Sequence, residues 1–239
     1  MRQDNTTLLF GKGHLGGFII KENPEITWTQ RVNSTQNLYF NLEDNKPFFL
    51  PSKIETIIWA IPPHPSTVAF LEKLPKDVKI IFISSTSVFS SGQIKTDSAL
   101  APQTKNGKLL ESAEILIKKH FKKYIIIRPG GLVDKARHPK SFFKNASKMN
   151  NSNHRPNLIH TEDVARLINF FNCNETGWNK CYNIVTKINL DKKAFYGRFI
   201  SNKDFEYIKS QSDEKSFEME WQKEIGFKLK YPNLEEYFK

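Results

Sequence analysis

The chain has 239 residues, 38% hydrophobic and 13% aromatic, which is enough to bury one sizeable α/β core and argues against disorder as the default state. No apolar run approaches the roughly 18 to 20 residues that a membrane span needs, and the start MRQDNTT lacks a long apolar stretch and a small-residue cleavage site, so a soluble cytoplasmic protein is expected. The net charge of +11 comes mostly from Lys, 29 of the 36 basic residues, dispersed along the chain instead of forming the clustered Arg of nucleic-acid readers, so neither nucleic acid nor membrane is an expected partner.

In chain order, five short apolar runs rich in β-branched and aromatic residues read as buried parallel strands: TLLF (7–10), EITWTQ (25–30), TIIWAI (56–61), KIIFISS (79–85) and YIIIRPG (124–130). Between them LGGFIIKEN (15–23), STVAFLEKL (66–74) and GKLLESAEILIKKHF (107–121) read as helices. In the last, Leu109, Leu110, Ala113, Leu116, Ile117 and Phe121 make one apolar stripe, and KKHFKKY at 118–124 places cations at the negative end of the helix dipole. Strands separated by helices in this way predict right-handed crossovers in a doubly wound parallel sheet with helices on both faces. After residue 131 the pattern loosens into a polar, basic loop with a short helix. A further helix starts at Thr161, read as its N-cap, with Glu162 and Asp163 in the first turn and Val164, Ala165, Leu167, Ile168 and Phe171 on the buried stripe; CYNIV (181–185) is the last strand. The chain reads as one domain, 1–239, in which 131–160 and 186–239 contribute a small substrate-side lobe that includes the C-terminus. Cys173 and Cys181 fit neither a disulfide framework nor a metal knuckle and read as small buried side chains, with no metal site expected.

Gly11, Gly13 and Gly16 form a G-x-G-x-x-G between the first strand and the first helix. In that context Gly11 permits the tight turn, Gly13 lets a pyrophosphate approach bare backbone beside His14 and Leu15, and Gly16 lets the helix pack closely on the strand, which predicts a Rossmann-type dinucleotide site. The residue that meets the adenosine ribose lies at the end of the second strand, Thr29-Gln30-Arg31-Val32-Asn33-Ser34, where there is no acid to favour NAD. Arg31 can pair with the additional phosphate of NADP, so NADP is the preferred cofactor and NAD the alternative. Ala60-Ile61-Pro62-Pro63 should turn over the cofactor at the end of its strand.

Taken together, LLFGKGHLGGFI, WAIPP, FISSTSVFS, IIIRPGGLV, LIHTEDVARLI and CYNIV resemble, in order, segments of the extended or atypical short-chain dehydrogenases/reductases, the NAD(P)-dependent epimerase/dehydratase group, across nearly the whole chain. That resemblance implies an NAD(P)-dependent oxidoreductase or epimerase acting on a nucleotide-sugar-like or other polar carbonyl or alcohol. It places the catalytic hydroxyl at Ser85 or its neighbour Thr86, with Ser84 on the cofactor, and Pro129 and Gly130 where backbone meets the nicotinamide. The family's Tyr-x-x-x-Lys, which moves the proton as hydride is transferred, is absent: its positions hold Asn106 and Leu110, neither of which titrates or steers a phenol. Lys108 is the nearby candidate for a replacement, and Glu111 and Glu114 share its helix, Glu114 matching a family Glu. All three have a solvated helix face as the simpler reading. Arg155 and His160, with His138, are candidates for a cationic wall facing an anionic small-molecule substrate. The sequence thus supports two readings, an atypical enzyme and a cofactor-binding sensor or scaffold that has lost the dyad, and leaves the oligomeric state open.

Overall fold

The computed structural model describes residues 6–32, 35, 37–44, 47–202, 204–219 and 221–239. Its centre is a seven-stranded sheet made of β1 (Thr7–Phe10), β2 (Thr27–Gln30), β3 (Leu38–Tyr39), β4 (Thr56–Trp59), β5 (Lys79–Ile83), β7 (Tyr124–Pro129) and β11 (Lys180–Ile184). The spatial order is β11-β7-β5-β4-β1-β2-β3, and every pairing in it is parallel. The five apolar runs and CYNIV are therefore strands, and the expected doubly wound Rossmann-type fold is the one observed.

The side chains of each central strand alternate between two cores, which is why both faces read as apolar in the sequence. Leu8, Phe10, Ile57, Trp59, Ile80 and Phe82 point to the face covered by α2 (Thr67–Leu71) and α3 (Lys105–His120). Leu9, Ile58, Ile81, Ile125 and Ile127 point to the opposite face, covered by α1 (His14–Glu22) and α4 (Thr161–Cys173). Cys181 is buried as expected, whereas Cys173, in the last turn of α4, is exposed. The start of α4 also differs from expectation by one residue: the cap is His160, whose Nδ1 accepts from the Glu162 amide at 3.2 Å, and Thr161 is the first helical residue.

Outside the main sheet the chain builds three two-stranded parallel sheets too short to be read from periodicity. They pair β8 (Gly131–Val133) with β10 (Leu158–His160), β9 (Lys148–Met149) with β12 (Glu206–Tyr207), and β6 (Gln93–Ile94) with β13 (Ser216–Phe217). A third core of Val133, Met149, Leu158, Ile188, Phe195, Phe205, Leu234 and Phe238 draws on 131–160 and on 186–239, including α5 (Lys192–Gly197) and α7 (Leu234–Tyr237). The C-terminal stretch does not belong to that lobe alone: Trp221, in α6 (Trp221–Ile225), and Phe227 pack back against the α1 and α4 face of the main sheet. Among the described residues no helix is long and apolar enough to cross a membrane, and no group of His, Cys, Asp and Glu is placed to hold a metal.

Candidate functional site

The strand order reverses between β1 and β4, so their carboxyl ends splay apart and open the crevice in which doubly wound folds bind ligands. A cleft of about 810 Å³ lies there. Its floor is the glycine turn between β1 and α1, and β2 holds that turn: the Gly11 amide donates to Thr29 Oγ1 at 3.2 Å and the Lys12 amide to the Thr29 carbonyl at 3.2 Å. Gly11 has φ +96°, and a Cβ there would also press on Ile61 and Ala60. At Gly16 a Cβ would collide with the Gly11 carbonyl oxygen, so the close packing of helix on strand requires glycine, whereas at Gly13 a Cβ would meet no heavy atom within 4 Å and would stand in open space.

The first turn of α1 has Gly13 as its N-cap and no side chain capping its amides, while α3 and α4 are capped by Thr104 and His160. Uncapped amides at the positive end of a helix dipole form a ready anion site.

Of the residues singled out in the sequence, Gly11, Gly13, His14, Leu15, Arg31, Ala60, Ile61, Pro62, Ser84 and Ser85 line this cleft. Thr29, Lys12, Leu132 and Arg137, which were not singled out, line it as well. So do Asn106 and Leu110, the residues that the sequence resemblance aligns with the family's Tyr and Lys. Asn33 and Ser34, quoted with the end of the second strand, lie outside the described residues.

Ser85 caps a short 3-10 turn, Thr86–Val88, its Oγ accepting from the Ser87 amide at 3.1 Å. That bond uses one lone pair and leaves the hydroxyl hydrogen free to donate to a ligand oxygen. Thr86 is buried and is not part of the cleft lining. Lys108 is exposed on α3 outside the lining, as its solvated reading has it.

Glu114 corrects the solvated reading for that residue. It is fully buried and forms a paired ion bridge with the equally buried Arg128: Nη2 to Oε2 at 2.7 Å, and Nε to Oε1 and Oε2 at 3.0 and 3.2 Å. Ser84 Oγ donates to Oε1 of the same carboxylate at 2.6 Å, and the guanidinium carbon sits 4.9 Å over the Phe89 ring. Burial alone would lower the pKa of Arg128, but the hydrogen bonds and charge of Glu114 outweigh it and raise it. This network, rooted in α3, β7 and the end of β5, fixes the strand end from which Ser84 and Ser85 face the cleft.

Pro129 and Gly130 are buried outside the lining; the Gly130 amide is spent on the Ile184 carbonyl at 2.9 Å, and a Cβ there would collide with Asn157. The three cationic-wall candidates do not come together. Arg155 pairs with Glu214 at 3.2 Å, and His138 lies against Phe199 and Phe238. His160 is buried and stacked on Tyr231 at 3.6 Å between ring centroids. Desolvation lowers its pKa despite the nearby carboxylates of Asp163, Asp134 and Glu162, which favours the neutral ring. Neither Arg155 nor His160 lines the cleft.

What the sequence did not indicate is Asp134, directly after β8. This carboxylate is buried, with Oδ2 accepting from Thr161 Oγ1 at 2.5 Å and from His14 Nε2 at 2.6 Å, and Oδ1 accepting from the amides of Ala136 and Arg137 at 2.9 and 3.0 Å. Burial pushes its pKa up, but the bonds from Thr161, His14 and Arg137 prevail and hold it at about 2. An ionised carboxylate only accepts, so His14 Nε2 carries the proton in this contact.

No protein-family model matches this chain, and no curated protein matches it. Solved structures do. A functionally unknown conserved protein from Silicibacter pomeroyi is 17% identical with a TM-score of 0.73, covering 96% of this chain and 95% of that one. The human epimerase family protein SDR39U1, solved with NADPH, is 12% identical with a TM-score of 0.73, covering 96% of each chain. MoeE5, in complex with UDP-glucose and NAD, is 15% identical with a TM-score of 0.72, covering 97% of this chain and 95% of that one. Identities this low establish a shared architecture, and the chain has the fold of the NAD-dependent epimerase/dehydratase and short-chain dehydrogenase/reductase structures.

Proposed function

We propose that this chain is an atypical short-chain dehydrogenase/reductase that binds a nicotinamide dinucleotide in the cleft between β1 and β4. The observation that carries this reading is the glycine turn: an uncapped helix N-terminus with open space in front of Gly13, at the floor of a cleft of about 810 Å³. The first-turn amides of α1 would hold the pyrophosphate, and Ala60, Ile61 and Pro62 would cover the dinucleotide from the β4 side. Arg31 shares the cleft with Gly13, and no side-chain partner occupies its guanidinium among the described residues. That supports NADP over NAD, because Arg31 is free to take a 2′-phosphate.

When bound, the dinucleotide supplies hydride chemistry. Among the chain's own groups Ser85 is placed to donate to a carbonyl or alcohol oxygen of a polar substrate, a nucleotide-sugar-like molecule being the class that the fold likeness favours. A second reading is favoured by a specific observation: Asn106 and Leu110 line the wall where a Tyr and Lys would act, so the chain has a cradle without a titrating acid or base at those positions. On that reading the protein binds the dinucleotide as a sensor or scaffold.

Fluorescence titration with NADPH and NADH, followed by a panel of carbonyl substrates, tests both. Wild type should bind at least one nucleotide, NADPH the more tightly. Gly13→Val, whose Cβ meets no heavy atom within 4 Å, should still fold and lose that binding. Binding without oxidation of NADPH by any carbonyl selects the scaffold reading, and failure of folded wild type to bind either nucleotide refutes both.

A further inference from the structure

We infer that Arg137 is a second anion-binding residue of the cleft, which reaches the dinucleotide's pyrophosphate from the loop that follows β8. The inference rests on the cofactor reading above and adds to it a residue that neither the glycine motif nor the strand ends indicate. Three observations converge on it.

First, Arg137 lines the same cleft as Gly13 and His14, and among the described residues no carboxylate pairs with its guanidinium. Glu43 is the single acid in the lining and faces His64 at 3.9 Å. An Arg left unpaired at a cleft wall is available to an anionic ligand, and its fork geometry suits a phosphoryl group.

Second, the backbone that presents Arg137 is fixed. Asp134 Oδ1 takes the amides of Ala136 and Arg137, and the Asp134 amide in turn reaches the Arg137 carbonyl at 3.4 Å, which closes a tight turn. Ordering this loop in advance lowers the entropic cost of using the side chain on it.

Third, the same carboxylate ties the turn to the phosphate end of the cleft. Its Oδ2 accepts from His14, the first residue of α1, at 2.6 Å, and from Thr161 at the start of α4 at 2.5 Å. One buried carboxylate therefore joins the amide of Arg137 to the residue that follows Gly13, which anchors the start of the Arg137 loop to the first residue of α1. Arg31, by contrast, follows β2 on the other side of β1 in the sheet, at the adenosine end. The two guanidiniums thus serve different phosphates.

The experiment measures Kd for the more tightly bound of NADPH and NADH, and for 2′-AMP, which carries the adenosine end without a pyrophosphate. The proteins are wild type, Arg137→Gln, Arg137→Lys, Arg31→Gln, and Lys119→Gln as a control that removes one exposed positive charge elsewhere on α3. Arg137→Gln should weaken the dinucleotide roughly 10-fold or more, the scale of one lost charge-assisted hydrogen bond. It should leave 2′-AMP within about twofold. Arg137→Lys should recover part of the loss, Arg31→Gln should weaken both ligands if NADPH is the tighter dinucleotide, and Lys119→Gln should change neither. Dinucleotide affinity within about twofold of wild type in folded Arg137→Gln overturns the inference and leaves the cofactor reading standing. So does an equal loss for 2′-AMP. Wild type that binds neither dinucleotide removes both together.

Discussion

Replacing Glu114 by Gln isolates the buried network behind the β5 strand end. The substitution keeps shape and removes charge, leaving the guanidinium of Arg128, 1% exposed, without its counter-ion in a dry core. Three Arg128 contacts and the Ser84 hydroxyl converge on this one carboxylate, and the remaining Arg128 acceptors, Asn183 Oδ1 and the Thr96 carbonyl, are both at a long 3.4 Å. Neither can replace a charge. Breaking a buried pair from one side costs about 3–5 kcal/mol, and for a domain of this size that corresponds to a fall in Tm of roughly 6–20 °C. Removing both charges should cost far less than the sum of the singles, because the charges in Arg128→Met with Glu114→Met are replaced by apolar volume and no ion is stranded. Urea and thermal denaturation of Glu114→Gln measures the single loss, and the same melts on Glu114→Met, Arg128→Met and the double Met variant close the cycle. Single losses below about 1 kcal/mol, or strictly additive ones, would show that the pair is solvated enough to be dispensable and would refute the reasoning.

Two further outcomes follow from the site geometry. Gly16→Ala should cost about 1–3 kcal/mol and weaken nucleotide binding, since α1 must move off the Gly11 carbonyl, whereas Gly17→Ala, which meets nothing within 4 Å, should be neutral or stabilising in the same melts; equal effects of the two would contradict the packing argument. For Asp134 the folded pKa, about 2, lies below the ordinary 3.8, so its contribution is complete above pH 3.8 and is lost as pH falls toward 2. That contribution is about 2 kcal/mol, and the stability gap between wild type and Asp134→Asn should therefore narrow as pH is lowered from 5 to about 2.5 in denaturant titrations. A gap independent of pH would mean that Asp134 acts through shape and not through charge.

Local sequence was sufficient for six of the seven strands of the main sheet, the two-residue β3 being missed, because buried parallel strands carry their signal within four to six residues: TLLF, TIIW and KIIFI are largely apolar runs whose two faces both need cover. The glycine turn was legible for the same reason, since the duties of Gly11, Gly13 and Gly16 depend on the strand before and the helix after them. Arg31 was found because it sits at a strand end, and Ser84 and Ser85 through the family resemblance; the fold turns the carboxyl ends of both strands toward the cleft.

The tertiary structure decided what pairs with what across long separations. Glu114 and Arg128 are 14 residues apart, on a helix that reads as solvated on its polar face and on a strand that reads as apolar, and only the crossover puts them in one buried network. His14 and Asp134 are 120 residues apart, and nothing local to VDKARHP distinguishes Asp134 from an ordinary loop acid. The same limit holds for the lobe. Its strands of two or three residues are too short to show a period, and its core is assembled from 131–160 and 186–239 together. By itself the sequence determined six strands of the sheet and the phosphate turn, because those are set by contiguous residues. Which charges reach the cleft, Arg137 among them, and which of them are neutralised before they do, was decided only when the chain folded, because each depends on a partner supplied by a distant segment.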